Sequence, residues 1–319
     1  MHGDLIQKQS KRSTSIDSLK CICALLVVFI HCHYPYKQYV IPITDVAVPL
    51  FFVCSGYFIY CNGSSKKRLL RILYIICWSF TLYFLKTELF HIFSQKELFI
   101  LSLTDIVNLV CFNNVVFSIH LWYLAAYLYV LIIIYYIDNH LFWKFSFYSI
   151  IPLLIIGIFI KQHVNKTCPE EIYYYRNFLF VGLPYVLIGA YIRHLPHLRK
   201  NKNMAVTLTI IILILIICRY YTHNNVILND CNLFLLVISL FLLTLTLDTG
   251  KDCSLSYLGQ YYSLYIYIFH LVIASSMELI ANNIPIQISI YYMYINPLFV
   301  FSLSILFTWT LKSMKIIKI

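Results

Sequence analysis

Charge is what this sequence most lacks. Only 12% of its 319 residues are Asp, Glu, Lys or Arg, against 61% hydrophobic residues, which excludes an ordinary water-soluble domain, where about a quarter of the residues are charged. Glycine is scarce as well: the eight glycines form no Gly-rich phosphate loop, so nucleotide-fold fingerprints are absent. No Cys-x-x-Cys pair occurs among the eleven cysteines, and Cys21, Cys54, Cys77 and Cys218 sit inside apolar runs. A disulfide framework or a metal site is therefore not expected, and these thiols read as small apolar packers. Internal repeats and low-complexity tracts are also missing.

What fills the chain is a succession of apolar runs, each about 17 to 25 residues long and separated by short polar breaks, as bilayer spans are. The spans expected are 16–34, 43–61, 69–86, 121–137, 145–161, 178–192, 204–219, 232–247, 255–276 and 291–311. The predicted fold is all-α, a polytopic integral membrane helical bundle with about ten transmembrane helices, forming a single domain over 1–319 with a short N-terminal tail, 1–15. The stretch 87–119 is interrupted by Asp105, Asn108, Asn113 and Asn114 and reads as a loop or interfacial segment. The first run is too long, and lacks the small-residue cleavage site, for a removable signal peptide.

Cations decide the orientation, since Lys and Arg are retained on the cytoplasmic side. With ten spans, one side collects the tail up to Lys20, the Lys66–Arg71 run, Lys144, Arg193 to Lys202, Lys251 and the residues from Lys312 on. The other side keeps Lys37, Lys86, Lys96, Lys161, Lys166, Arg176 and Arg219. Both termini are accordingly expected in the cytoplasm, and the net charge of +11 needs no nucleic acid to explain it. The sequons Asn62-Gly63-Ser64 and Asn165-Lys166-Thr167 read as chance, the first of them facing the cytoplasm.

Chemistry has to come from polar residues that tolerate a membrane. Lys20 and His31 are eleven positions apart, which brings them to within about 20° on one helix face and separates them by about 16 Å along the axis. Asp17, Lys20, Ala24, Val27 and His31 form one stripe. With Lys20 at the cytoplasmic edge, His31 lies past the middle of a core about 30 Å thick, where an ionisable group marks a functional site by default; the bland alternative is an interfacial histidine at the end of the span. The second span contains VPLFFVCSGYFIY, where Ser55 and Gly56 permit close helix approach. Arg68 and Arg71, three apart at a helix start, can grip a phosphate group, or else serve as positive-inside anchors. His120 and His270 are further candidates, with helix-end or interfacial placement as the alternative. Asp45 and Arg176 could meet sugar hydroxyls or simply be solvated. The 28 tyrosines, including Tyr173 to Tyr175, read as interfacial belts rather than as a carbohydrate platform.

Taken in order, these residues resemble the membrane acyltransferase 3 family of bacterial O-acyltransferases. In that family the first span starts with an Asp and an Arg or Lys, followed after ten intervening residues by a His; Asp17, Lys20 and His31 match, with Lys in place of the commoner Arg. A Phe-Phe-x-x-Ser-Gly-Phe element is matched by Phe51, Phe52, Ser55 and Gly56, with Tyr57 in the last place, and a basic Arg-x-x-Arg entry to the next span by Arg68 and Arg71. HLWYLAAYLYVLII from His120, RNFLFVGLPYVLIGAYI from Arg176 and SLYIYIFH ending at His270 are similar to three later family segments.

The resemblance implies ten helices and transfer of an acyl group, usually acetyl, from cytoplasmic acyl-CoA to a saccharide hydroxyl at or beyond the outer face. Acetyl-CoA would be a donor substrate, and no permanently bound cofactor or metal is expected. The nucleotide would dock on Ser55, Gly56, Arg68 and Arg71 near Lys20. His31, with His120 and His270 toward the outer ends of their spans, would serve the acceptor, a unit of exopolysaccharide, capsule or O-antigen. Transfer to an alcohol needs a base and donors for the oxyanion; His31 is the expected base, because neutral imidazole is abundant near pH 7 and burial favours the uncharged ring. The expected location is the bacterial inner (plasma) membrane. No soluble hydrolase-like or racemase appendage is expected within these residues to indicate the acceptor. A competing reading is a transporter or flippase for a lipid-linked glycan without acyl transfer, which the absence of repeats disfavours.

Overall fold

The apolar runs form helices, and several helix starts are capped by side chains. The computed structural model describes residues 12–59, 65–137, 140–195, 201–281 and 286–315; the tail to Lys11, the Asn62 sequon, Arg199, Lys200 and Lys318 lie outside them. Helix α1 (Thr14–His31) starts at Ser13, whose hydroxyl accepts from the Ile16 amide, and ends at Cys32, whose amide donates to the Val28 carbonyl. Helices α2 (Lys37–Thr44) and α3 (Ala47–Tyr57) follow in near continuity. They separate at Asp45 and Val46 because Pro49 has no amide to offer the Asp45 carbonyl.

Next come α4 (Ser65–Phe93), α5 (Leu103–Phe112), a 3-10 turn at Ile119–Leu121, α6 (Trp122–Ile137) and α7 (His140–Thr167). A π-helical turn, Phe178–Gly182, leads into α8 (Leu183–Ile192), and α9 (Lys202–Thr222), α10 (Val226–Thr246), α11 (Ser254–Tyr261), α12 (Ser263–Ala281) and α13 (Ile286–Ser313) complete the chain. No strand occurs among the described residues.

Nine helices among the described residues are long and apolar enough to cross a membrane. Their exposure argues for lipid as the solvent. On α7, Phe145, Tyr148, Ile151 and Phe159 are each more than half exposed, and so are Ile210, Leu213, Ile214 and Ile217 on α9. In water such stripes would drive aggregation; against acyl chains they are the expected outer face. The chain is a multi-pass helical membrane protein.

Three expectations change in detail. The expected span 178–192 is a shorter apolar helix, Phe178–Ile192, which at 1.5 Å per residue reaches only about 22 Å. The expected span 255–276 breaks at Tyr262 into α11 and α12. The interrupted stretch 87–119 holds the end of α4 and the short α5, closed by a capping box between Ser102 and Asp105 and by Asn113 in the left-handed conformation.

The chain divides into two compact units, and the division falls inside α3. One unit runs from Phe52 to Leu195; the other combines Arg12–Phe51 with the chain from residue 196 on. In the second unit α1 is the central helix, packed against α2, α10, α11, α12 and α13. Its contact with α11 is backbone to backbone: a Cβ on Gly259 would collide with the Asp17 carbonyl. In the first unit α6 takes the central place, against α4, α8 and the π-helical turn.

Candidate active site

In the second unit, α1 and α12 bring two of the three candidate histidines together. His31, the last residue of α1, lies half-buried with its ring centroid 5.2 Å from that of the fully buried His270. The Nδ1 of His270 sits 2.8 Å from the Tyr267 carbonyl and 3.2 Å from that of Ile266. Carbonyl oxygens only accept, so Nδ1 carries the proton and Nε2 holds the lone pair of the neutral ring.

The chain just after His31 is anchored by two groups. Asn296 on α13 donates to the His33 carbonyl (3.0 Å) and accepts from the Tyr292 hydroxyl (2.7 Å), while Lys37 donates to the Cys32 carbonyl (3.0 Å). These carbonyls would otherwise end a helix without partners. Sequence reading missed Asn296, since nothing local marks its pairing with a backbone 263 residues away.

At the other end of α1, Lys20 is held in an ion-pair network. Its Nζ lies 3.1 Å from the buried Asp17 carboxylate, which Arg12 also grips at 2.8 Å while reaching Asp252 at 2.9 Å. Hydrogen bonding to Asp17 keeps the Arg12 guanidinium above its ordinary range, against the opposing effect of desolvation. Ser13, Thr14 and Ser15 all donate to Asp248. Burial works to raise that carboxyl, and the bonds from Ser13, the Gly250 amide, Ser15 and Thr14 outweigh it, so its pKa is lowered. Lys20 and His31 therefore share a helix but occupy its opposite ends.

The first unit holds the other expected residues. The Arg68 guanidinium donates to the Phe58 and Ile59 carbonyls, both at 2.7 Å, and so caps the end of α3. The buried Tyr127 hydroxyl is hydrogen-bonded to both Ser55 and Arg68, which ties the two residues together through a side chain that sequence reading had left among the spans. Arg71, one turn on, is exposed. Gly56 is a packing residue: a Cβ there would collide with the Val186 carbonyl, and one on Gly189 with that of Val53. Its expected part in the donor site is thus indirect, through the approach of α3 and α8.

His120 belongs to the first unit. It is buried, with Nδ1 2.8 Å from the Ser118 hydroxyl and its ring edge-on to Tyr83 at 4.6 Å. Two further expectations receive structural partners. Arg176 stacks over the Trp122 ring at 5.2 Å. Asp45 pairs at 3.1 Å with Arg219, whose guanidinium also donates to the Pro42 and Asn229 carbonyls and is 1% exposed. Among the described residues no three His, Cys, Asp or Glu side chains converge as metal ligands would.

Residues 13–311 match the acyltransferase 3 family model, described as an acyltransferase domain. The chain belongs to the acyltransferase 3 family. It is 26% identical over 301 residues to a serine/alanine racemase of Enterococcus gallinarum, covering 86% of this chain and 43% of that protein. It is 24% identical over 216 residues to an amino-acid racemase of Enterococcus faecalis, covering 60% of this chain and 29% of that one. The chain thus spans less than half the length of these curated relatives. No solved structure matches it.

Membership sets the class of domain: an acyltransferase domain, here carried on a multi-pass membrane bundle. Within that class each unit contributes a distinct capability. The His31–His270 pair in the second unit offers imidazole nitrogen for proton transfer, and the Ser55–Tyr127–Arg68 cluster in the first offers hydroxyl and guanidinium donors for an anion.

Proposed function

We propose that this acyltransferase moves an acetyl group from cytoplasmic acetyl-CoA to a hydroxyl of a cell-surface saccharide, on an exopolysaccharide, capsule or O-antigen unit, in the bacterial plasma membrane. The observation that carries this reading is the pairing of His31 with His270 at 5.2 Å, with the second ring's tautomer fixed by carbonyls. His31 is the general base. It takes the proton of the acceptor hydroxyl as that oxygen attacks the thioester carbonyl. Collapse of the tetrahedral oxyanion breaks the C–S bond, and the departing CoA thiolate takes the proton from the imidazolium. One ester bond forms, one thioester bond breaks, and nothing is oxidised or reduced. His270 presents its Nε2 lone pair as a second resting place for the proton.

The orientation follows from the cations. Counting Phe178–Ile192 as a crossing gives ten, with both termini, Lys20, Arg68 and Arg71 on the cytoplasmic side and the histidine pair toward the outside. Ser55, Arg68 and Arg71 bind the charged part of the donor.

The two relatives, named as racemases of serine, alanine or amino acids, favour a second acceptor class, a free amino acid: serine carries a hydroxyl that the same chemistry would acylate. One experiment separates the readings. Purified protein in proteoliposomes is given labelled acetyl-CoA with fractionated cell glycans, or with serine or alanine, beside a His31→Ala variant. Label in a glycan fraction, lost in the variant, supports the first reading; label in serine supports the second. Movement of a glycan across the vesicle without transfer of label would overturn both in favour of a carrier.

A further inference from the structure

In the first unit, the end of α3 carries a second arginine that the reading above does not use. Gly56 and Gly189 let α3 and α8 approach backbone to backbone, and this contact sets Arg193, the residue that caps the C-terminus of α8, against the end of α3. Its guanidinium lies 4.9 Å over the ring of the buried Tyr57. Arg68, from α4, caps the carbonyls of Phe58 and Ile59, the next two residues. Two guanidinium groups from different helices are thus fastened to three consecutive residues, 57–59. Among the described residues neither is paired with a carboxylate.

Positive groups fastened to one short segment without an acid to neutralise them favour a bound anion. Both arginines are half-buried, so each has one side against protein and another open. The ring beneath Arg193 and the carbonyls beneath Arg68 also fix the guanidinium planes in advance, which lowers the ordering cost of a forked contact to phosphate. The helix C-terminus would favour any cation at position 193; a Lys would serve that purpose equally, and the ring stacking suits an Arg.

We propose that Arg193, positioned on Tyr57, binds a phosphate group of the acyl-CoA nucleotide together with Arg68. This rests on the acyl-CoA reading above. The phosphates of that donor are the pyrophosphate and the ribose 3′-phosphate, and donor analogues tell them apart.

The test measures KM and kcat for acetyl-CoA, acetyl-3′-dephospho-CoA and acetyl-pantetheine with the reconstituted full chain and with Arg193→Gln and Arg193→Lys. Arg193→Gln should raise KM for acetyl-CoA about tenfold or more, the loss expected of one charged hydrogen-bonded contact, and leave kcat unchanged. KM for acetyl-pantetheine, which has no phosphate, should not move. If the 3′-phosphate is the partner, acetyl-3′-dephospho-CoA behaves like acetyl-pantetheine; if the pyrophosphate is, it behaves like acetyl-CoA. Arg193→Lys should recover part of the loss. Equal losses with all three donors, or none with any, would overturn the assignment while leaving acetyl-CoA as donor. A wild-type protein that uses no CoA thioester would overturn the acyl-CoA reading, and this inference with it. Should Arg193→Gln fail to fold, the donor preference of Arg193→Lys, which keeps the charge and loses the fork, decides by the same ratios.

Discussion

The two units hold their described arginines in opposite ways. In the second unit the arginines meet carboxylates: Arg12 shares Asp17 with Lys20, and Arg219 takes Asp45. In the first unit arginines rest on neutral groups: Arg68 on two carbonyls, Arg193 on the Tyr57 ring and Arg176 on the Trp122 ring. A carboxylate cancels the charge it binds, whereas a carbonyl or a ring fixes a guanidinium and leaves its charge intact. The first arrangement makes a clamp; the second leaves a charge that an anion can meet. The difference teaches which arginines to expect in stability measurements and which in donor kinetics.

The largest break in this contrast should come from Arg219. Replacing it with Met leaves the Asp45 carboxylate and the Pro42 and Asn229 carbonyls without their common donor, a loss of about 3 kcal/mol, short of the full cost of a buried pair because Asp45 is 39% exposed, read by denaturation in detergent or lipid. Gly189→Ala comes next. Its new methyl group meets the Val53 carbonyl, so α3 and α8 must part, at a cost of about 1–3 kcal/mol and with weaker donor binding, read as a raised KM for acetyl-CoA.

Arg68→Met should destabilise less, by about 1–2 kcal/mol for the lost neutral-acceptor bonds, and act chiefly on the same KM. Equal stability losses for Arg68→Met and Arg219→Met would erase the distinction between the units. The smallest effect belongs to Asp248. Because its folded-state pKa is depressed, its contribution is present at neutral pH and fades as pH falls through that value. Asp248→Asn should therefore be the less stable protein at pH 7, the two converging below the ordinary carboxylate range in a pH-resolved melting series.

Much of this was legible in the linear chain wherever the relevant spacing was local. The stripe from Asp17 through Ala24 and Val27 to His31 needed only the helical period, and Asp17, Ala24 and Val27 are indeed buried. That Ser55 and Arg68 lie close was expected from one helix end meeting the next helix start, whereas the Tyr127 hydroxyl that bonds both was not. Other features were hidden because hydropathy scores burial in lipid and burial in protein alike. The run through residue 262 looks continuous for that reason, although Gly259 lays α11 on α1 and the chain turns before α12 begins. Contacts between distant helices left no mark at all: Arg219 with Asp45, Asn296 with the His33 carbonyl, Asp248 with Ser13. Likewise nothing local separated His120 from His270 as companions of His31, while the fold sets His120 on Ser118 and Tyr83 in a different unit.

The account turns on the histidine pair acting as one device, and a double-mutant cycle on acetyl transfer tests that most directly. His31→Ala should lower kcat by about 10²–10⁴, the worth of a general base, and His270→Ala by a smaller factor. The double variant should be no slower than His31→Ala alone, as for residues that work as a unit. Losses that multiply, or a His31→Ala variant that keeps its activity, would contradict it.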